Sequence, residues 1–325
     1  MILGIESTAH TFGVAVVDKG KILANVKDSY TTKSGGMIPT DSAKHHEEIK
    51  EQAYKEALEQ AGIDESKLKA ISFSQGPGLA PCLLVGLNFA KQLAGKIKIP
   101  LVPVNHCIAH LEIGQITGAQ NPVLLYVSGA NTQIISYSSG KYRIFGETLD
   151  RGLGNFIDTF ARYAGIGFPG GPKIAELADK SKNYISLPYS IKGMDVSFSG
   201  ILTNLKQKLE SGKYKLEDLS FSLQETAFAM LVEAAERALA HLNSKELLLG
   251  GGVACNSRLQ EMCKIMCKER GAKFFCPERP LLVDNAGMIG FLGEIMFNKG
   301  IKTDDYDKLD IKPRERTDDV EVDWK

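Results

Sequence analysis

The chain has 325 residues, 43% of them hydrophobic and 24% charged, and its 39 basic side chains balance 39 acidic ones. This length predicts two domains or one large bilobed unit, with enough apolar residues for a sizeable core. The zero net charge gives no indication of a nucleic-acid partner, so any basic surface must be local or supplied by another subunit. We find no signal peptide and no apolar run of about 18 residues, which predicts a cytoplasmic protein that does not enter membranes.

Two segments of the chain contain the same order of predicted elements, namely strand, polar loop and hairpin. Their strands are predicted at 1–6, 11–18 and 21–28 in the first segment and at 122–127, 132–139 and 141–149 in the second. Aligning residues 5–8 with residues 126–129 superimposes the two patterns at an offset of about 121 residues. The sequence therefore predicts an internal duplication, with an N-terminal lobe at 1–121 and a C-terminal lobe at 122–325.

Helices alternate with strands after each hairpin, which is typical of an α/β sheet covered on both faces. Helices are predicted at 41–61, 79–95, 105–116, 254–270 and 284–299, strands at 69–78, 100–104, 245–252 and 272–277, and a mostly helical insertion at about 153–242. We expect Thr40 or Asp41 to cap the first helix and Gly62 to end it. The charged tail from Lys302 is predicted to be solvated or loosely docked.

Three loops of small residues follow apolar strands, at 6–8, 128–132 and 250–252. Small residues let backbone N–H groups approach a phosphate, so these loops predict a nucleotide cleft between the lobes, with structural turns as the alternative. Neither GxxxxGK[ST] nor a helix-opening GxGxxG is present, so P-loop and dinucleotide-binding folds fit poorly. The six cysteines include no CxxC pair, which predicts reduced and mostly buried thiols.

The stretch VNHCIAHLE places His106 and His110 four residues apart on a predicted helix, where both can reach one divalent metal ion. A surface or structural role remains the alternative for such a pair. A zincin protease needs a glutamate directly after the first histidine, and Cys107 stands there, which removes the proteolytic interpretation. Tyr126 and Asp284 are candidate oxygen ligands, although Asp284 could equally cap the helix that follows it.

Nine short motifs resemble the universal tRNA threonylcarbamoyladenosine transferases, in the archaeal and eukaryotic branch that provides the catalytic subunit of the KEOPS complex. They are SQGPG (74–78), VNHCIAH (104–110), LYVSG (125–129), FGETLD (145–150), FPGGPK (168–173), KGMDVSFSG (192–200), LQETAFAML (223–231), GGVACN (251–256) and DNAGM (284–288). The resemblance extends from Met1 to about Trp324. It implies the duplicated actin-like ATPase (ASKHA) fold, with two lobes around a nucleotide cleft.

The resemblance also implies a set of site residues. One metal ion per subunit, iron more than zinc, would be held by His106, His110, Tyr126 and Asp284. An adenylate substrate or adenine nucleotide in the cleft would contact Tyr126, Val127, Ser128, Gly129, Ala130, Asp158, Gly171 and Asn256. Two positions depart from the family pattern, because Ala130 stands where the family has glycine and Ala175 where it often has an acidic residue.

The implied reaction transfers a threonylcarbamoyl group from threonylcarbamoyl-adenylate to N6 of adenosine 37, in tRNAs that read codons beginning with A, and releases AMP. The implied partners are a separate synthase that makes the adenylate, a small atypical protein kinase, a small dimerising subunit and tRNA. No side chain is assigned as catalytic base. The alternatives are an ASKHA-fold nucleotide hydrolase or kinase and an inactive scaffold subunit. A basic group at 264–273 is interpreted as a solvated helix face.

Overall fold

Two five-stranded sheets form the framework of the protein in a computed structural model that describes residues 1–32 and 36–325. The first half contributes β1 (Ile2–Glu6), β2 (Thr11–Asp18), β3 (Lys21–Ser29), α1 (Pro39–Ala61), β4 (Ala70–Gly76), α2 (Ala80–Ile97), β5 (Leu101–Asn105) and α3 (His106–Glu112). The second half contributes β6 (Val123–Val127), β7 (Thr132–Ser138), β8 (Lys141–Glu147), α4 (Leu153–Tyr163), α5 (Gly171–Ala178), β9 (Ile191–Lys192), β10 (Asp195–Val196), α6 (Ser199–Glu210), α7 (Leu216–His241), β11 (Glu246–Gly250), α8 (Ser257–Arg270), β12 (Lys273–Phe275), α9 (Arg279–Leu282) and α10 (Ala286–Asn298).

The two sheets have the same topology, which confirms the predicted duplication. The strand order is β3-β2-β1-β4-β5 in one sheet and β8-β7-β6-β11-β12 in the other. In both sheets the first three strands are antiparallel neighbours, and the last two are parallel to the central strand. The parallel strands are joined through helices, because a parallel pair needs a long crossover connection.

Helices α3 and α10 lie in the layer between the sheets, and this arrangement positions the candidate site. Apolar side chains of both helices form one buried cluster with residues from the inner faces of both sheets, such as Val104 and Leu124. Helix α10 approaches β1 closely, since a Cβ on Gly4 would lie 2.4 Å from the Ala286 carbonyl oxygen and 2.6 Å from the Gly290 nitrogen. A helix from the second half therefore packs directly on the first sheet.

Several predicted boundaries need correction. Helix α1 begins at Pro39 with Ile38 as its N-cap and no capping side chain, so the predicted caps are wrong. Proline at the first helical position lacks one of the N–H groups that a cap would satisfy. The helix does end at Gly62, which adopts a left-handed conformation with φ of 65°. The predicted helix at 105–116 ends at Glu112 and continues as a 3-10 turn, Ile113–Thr117.

The C-terminal tail is docked along the protein, so the prediction of a solvated or loosely held tail is wrong. Thr303 forms a β-bridge with Leu101, and the Lys312 N–H donates to the Gln75 carbonyl at 2.8 Å. At the far end of the tail, the Trp324 indole is buried and donates to a Glu112 carboxylate oxygen at 3.1 Å. Apolar residues spaced among the charged ones supply the buried area that holds the tail in place.

The remaining global predictions stand as follows. Within residues 1–32 and 36–325, no helix has the length and apolar character needed to cross a membrane. All six cysteines are free, and four of them are buried. The division into lobes at residue 121 stays a prediction.

Candidate active site

The histidine pair lies at the start of α3, immediately after β5. Asn105 caps this helix, because its side-chain oxygen accepts a hydrogen bond from the Ile108 N–H at 3.1 Å. His106 and His110 are both buried, and their ring centroids are 4.8 Å apart. The alternative of a surface pair is therefore wrong. Both imidazoles face the layer between the sheets.

Asp284 reaches the same point from the other half of the chain. One of its carboxylate oxygens lies 3.4 Å from His106 Nε2 and 3.5 Å from His110 Nε2. Asn285, not Asp284, caps α10, because its side chain accepts a hydrogen bond from the Met288 N–H at 3.1 Å. The capping alternative for Asp284 is therefore wrong. Ligand atoms of the three residues lie within 4.8 Å of one another, which is a spacing that suits one metal ion.

Glu6 is a fourth member of this cluster, and sequence reasoning did not assign it there. Its Oε2 lies 3.0 Å from His106 Nδ1, and its Oε1 accepts a hydrogen bond from the Thr8 N–H at 2.7 Å. A carboxylate at Nδ1 holds the imidazole with Nε2 directed at the site, as carboxylates do behind metal-binding histidines. The sequence shows only a glutamate at the end of an apolar strand, which does not by itself indicate a contact with His106.

Two carboxylates flank the His106 imidazole within the cluster. Burial opposes the charged imidazole, but the Glu6 and Asp284 carboxylates outweigh burial and raise the pKa of His106 well above its ordinary value. Burial would raise the pKa of Asp284, but its contacts with His106 hold that pKa well below its ordinary value. Burial lowers the pKa of His110. The carboxylates on both sides of the His106 ring therefore favour positive charge at this site.

Tyr126, the fourth predicted ligand, is buried in β6 beside the cluster. Its ring centroid lies 5.0 Å from that of His110, and burial raises the pKa of its phenol well above the ordinary value. The ring therefore reaches the cluster, and ligation by its oxygen stays a prediction.

The predicted phosphate loop begins two residues after Tyr126 and is held by hydrogen bonds between its own residues. The Ser128 N–H donates to the Asn131 carbonyl at 2.8 Å, and Ser128 Oγ accepts from the Asn131 N–H at 3.1 Å. Gly129 and Ala130 are exposed at its tip. Gly251 has a φ of 91°, and a Cβ there would lie 2.5 Å from the Val127 carbonyl oxygen. The loop at 250–252 therefore packs on the loop at 128–131.

The other predicted substrate residues lie on the helical insertion and α8. Asp158 accepts a hydrogen bond from the Gly170 N–H at 2.8 Å, and burial raises its pKa. Gly171 begins α5, and nothing lies within 4 Å of the position of a Cβ there. Asn256 caps α8, since its side-chain oxygen accepts from the Arg258 N–H at 2.9 Å. Substrate contacts by these residues stay predictions.

Comparison with known proteins identifies the family. The chain matches the family described as "TsaD: tRNA N6-adenosine threonylcarbamoyltransferase" over residues 21–291. It is 53% identical over 322 residues to the tRNA N6-adenosine threonylcarbamoyltransferase of Thermococcus kodakarensis, covering 99% of both chains. The chain belongs to the TsaD family. The nucleotide hydrolase, kinase and scaffold alternatives are not favoured.

Two further similarities concern a longer relative and a solved structure. The chain is 51% identical over 327 residues to a probable bifunctional tRNA threonylcarbamoyladenosine biosynthesis protein of Methanosarcina mazei, covering 99% of this chain and 59% of that one. The solved structure of T. kodakarensis HypF is similar with a TM-score of 0.62 at 14% identity, over 92% of this chain and 48% of that one. The latter similarity supports the actin-like ATPase (ASKHA) fold predicted for this TsaD chain and concerns the fold alone.

The residues of this TsaD chain fit a bound metal ion. Both ring nitrogens of His110 are buried without a hydrogen-bond partner among the described residues. A buried polar atom of this kind is costly unless something binds it. Two imidazoles, one carboxylate and a neighbouring phenol form a nitrogen and oxygen donor set that suits both iron and zinc. Cys107 is buried between the histidines and the loop at 128–132, where its sulfur lies 3.9 Å from the Asn131 side-chain nitrogen.

Proposed function

We propose that the protein transfers the threonylcarbamoyl group of threonylcarbamoyl-adenylate to N6 of adenosine 37 in tRNAs that read codons beginning with A, with release of AMP. The observation that carries this proposal is the convergence of His106, His110 and Asp284 beside the loop that begins at Ser128. A metal-binding cluster beside Tyr126 and a phosphate-binding loop that begins at Ser128 would hold the two ends of an acyl-adenylate.

Each part of the site has a role in this reaction. A metal ion bound by His106, His110, Asp284 and Tyr126 would supply Lewis-acid polarisation and a template for the threonylcarbamoyl group. Glu6 fixes the orientation of His106 through its hydrogen bond to Nδ1. The exposed backbone at Gly129 and Ala130 receives the phosphate of the adenylate, and Val127 and Ser128 set the position of that backbone. The departure of AMP then needs no strong acid, because the mixed anhydride is already activated.

The nucleoside end of the adenylate lies, in this proposal, between α5 and α8. Asp158 and Gly171 border an open space that a side chain at position 171 would reduce. Asn256 donates through its amide to Gln224, so it links α7 to the start of α8. We assign these residues to nucleotide binding.

We propose iron as the bound metal in preference to zinc, because a phenolate and a carboxylate beside two imidazoles suit a harder ion. Elemental analysis of protein purified without added metal tests this choice. Ferric iron bound by Tyr126 gives a visible absorption band, which Tyr126→Phe should remove while the iron content stays. Stoichiometric zinc with no visible band would contradict the assignment.

The tRNA substrate follows from the family, and we propose the other partners from the resemblance to KEOPS catalytic subunits. These are a small atypical protein kinase, a small dimerising subunit and a separate synthase for the adenylate. The chain spans 59% of the length of the bifunctional Methanosarcina protein. We place the reaction in the cytoplasm. Each lobe, 1–121 and 122–325, would supply one wall of the cleft.

The transfer assay decides this proposal. Unmodified tRNA, synthetic threonylcarbamoyl-adenylate and the protein with its partners should give modified adenosine, and the double change His106→Ala with His110→Ala should abolish it and remove the metal. His45→Ala is the matched control, since this half-buried histidine lies on α1, where it contacts Asp28 and His46 and none of the predicted metal ligands. Absence of transfer by the wild-type complex would refute the proposed function. Full metal content in the double variant would refute the ligand assignment.

A further inference from the structure

A cavity of about 410 Å³ lies on the second half of the protein, between α8, α9 and β12. Its volume is within the range of about 300–1,000 Å³ that ligand pockets occupy. Its lining includes Cys255, Lys264, Phe274, Cys276, Glu278 and Arg279. None of these six side chains belongs to the metal cluster or to the predicted substrate loop.

Two walls of the cavity are continuous along the chain with segments of the candidate active site. Helix α9 forms one wall, and only Val283 separates its last residue from Asp284. The other wall includes the 3-10 turn Gly252–Cys255, which follows the glycine loop that packs on the Ser128 loop. Lys27 of β3, in the first half, contacts this region, since its Nζ donates a hydrogen bond to the Pro280 carbonyl at 3.3 Å. The cavity therefore adjoins the metal centre at the junction of the two halves.

The cavity carries an excess of positive charge. In the described ranges, no carboxylate oxygen lies within 4 Å of the side-chain nitrogens of Lys27, Lys264 or Arg279. Arg258 and Arg270 on the same helix as Lys264 are, in contrast, paired with Glu225 and Glu236. Glu278 is the one carboxylate among the lining residues that the structure describes. Cations without a carboxylate partner around a concave surface indicate an anionic ligand.

An aromatic ring lies beside these cations. Lys264 Nζ lies 5.6 Å from the centroid of the Phe274 ring, and both residues line the cavity. Aromatic rings combined with lysine and arginine are the usual means of holding unpaired nucleotides, since the base stacks and the cations contact phosphates. The basic group at 264–273 is therefore not a uniformly solvated helix face. Lys264 borders the cavity, and Arg270 is ion-paired.

We propose that this cavity receives a nucleotide that flanks the target adenosine of the tRNA, with its base against Phe274 and its phosphate near Lys264 and Arg279. The proposal rests on the proposed function, because it assumes that a tRNA anticodon loop enters the adjoining cleft. Glu278 offers acceptor oxygens to the amino group of a base. The cavity thereby fixes the register of the anticodon loop and leaves the target adenosine as the base that faces the metal centre.

Cysteine footprinting tests the occupant without any substitution. Cys255 and Cys276 are partly accessible, whereas the other four cysteines are buried. Alkylation is followed at pH 9, because burial raises the pKa of both thiols. Unmodified tRNA should slow the alkylation of both several-fold, and AMP should not. Unchanged alkylation in saturating tRNA would overturn the proposal, and equal protection by AMP would assign the cavity to a free nucleotide instead.

Kinetics with the full set of partner proteins give a second test. Lys264→Ala combined with Arg279→Ala should raise the KM for tRNA about tenfold with kcat nearly unchanged, and should lower the salt dependence of tRNA binding by about 0.7 per lost phosphate contact. Lys268→Ala is the matched control, because it removes an exposed lysine one turn further along α8 that does not line the cavity. A double variant that behaves like this control would overturn the inference. Such a result would leave the proposed function intact, because that function is refuted by absence of transfer by the wild-type complex.

Discussion

The hydrogen bond between Glu6 and His106 gives a direct prediction about metal affinity. Both groups are buried, and the glutamate accepts at His106 Nδ1 over 3.0 Å while its other oxygen accepts from Thr8. Glu6→Gln keeps the shape of the side chain but supplies one acceptor and one donor. If the amide oxygen stays with the Thr8 N–H, the amide nitrogen faces Nδ1. That contact favours the imidazole tautomer with its proton on Nε2, the nitrogen that faces the site.

The expected cost is a loss of metal affinity of about 10- to 100-fold, as for other carboxylates behind metal-binding histidines, or roughly 1.4–2.7 kcal/mol. The assay titrates metal-free protein with zinc in competition with a chromophoric chelator at pH 7.5. Affinity should also fall as the pH falls, because protons and metal compete for His106 Nε2. This pH dependence should be weaker in the variant, since loss of the Glu6 charge lowers the pKa of His106.

Glu112→Gln is the control for this experiment. Glu112 is a buried carboxylate on the same helix, but its polar contacts do not include either histidine. They are with Gln115, Tyr142, Trp324 and Lys325. Its substitution should lower the free energy of unfolding and leave zinc affinity within about threefold, because only groups in contact with a ligand set its tautomer and orientation. Wild-type affinity in Glu6→Gln, or an equal loss in Glu112→Gln, would refute the positioning role of Glu6.

Three further predictions concern stability and are measured by urea unfolding. Gly4→Ala should lower the free energy of unfolding by about 1–3 kcal/mol, because the new methyl overlaps the backbone of α10. The control Gly95→Ala lies at an open helical position and should be neutral or stabilising. Equal effects of the two substitutions would contradict the close packing of α10. Trp324→Phe should cost about 1–3 kcal/mol, because the buried Glu112 loses a donor, and no change would mean that the tail is not docked. Burial lowers the pKa of His46 to about 4. Below pH 6.5 the unfolded chain therefore binds a proton at His46 that the folded protein does not, and the free energy of unfolding falls by about 3 kcal/mol between pH 6.5 and pH 4. His46→Gln should lack that part of the acid loss, and an identical pH profile would refute it.

The predictable part of the fold is the part with local periodicity. Strands β1 to β3 and β6 to β8 lie where alternating and β-branched residues predicted them, and the repeat of this pattern identified the duplication. Helix boundaries were less predictable where neighbouring residues offered more than one way to begin the helix. At α1, a proline at the first turn replaces the side-chain cap that the neighbouring residues suggested.

The site was predictable only in so far as its residues are local or belong to recognised motifs. His106 and His110 share one turn of helix, so their spacing alone suggested a metal. Asp284 was ambiguous between ligand and cap, and the choice depended on Asn285 taking the cap. The contact of Glu6 with His106 depends on the order β1-β4-β5, which brings the ends of distant strands together. No pattern within either segment contains that information.

The position of α10 also determines the order in which the protein can be completed during synthesis. The first sheet leaves its inner face uncovered when β5 emerges, because the helix that covers it begins at Ala286. At translation rates of about 5–20 residues per second, roughly 180 further residues take about 10–40 seconds. During that interval the N-terminal half exposes apolar surface and lacks Asp284. A metal ion that needs Asp284 as a ligand could therefore be retained only by a nearly finished chain. We expect the nascent N-terminal half to require a chaperone or to remain incompletely folded until α10 is synthesised.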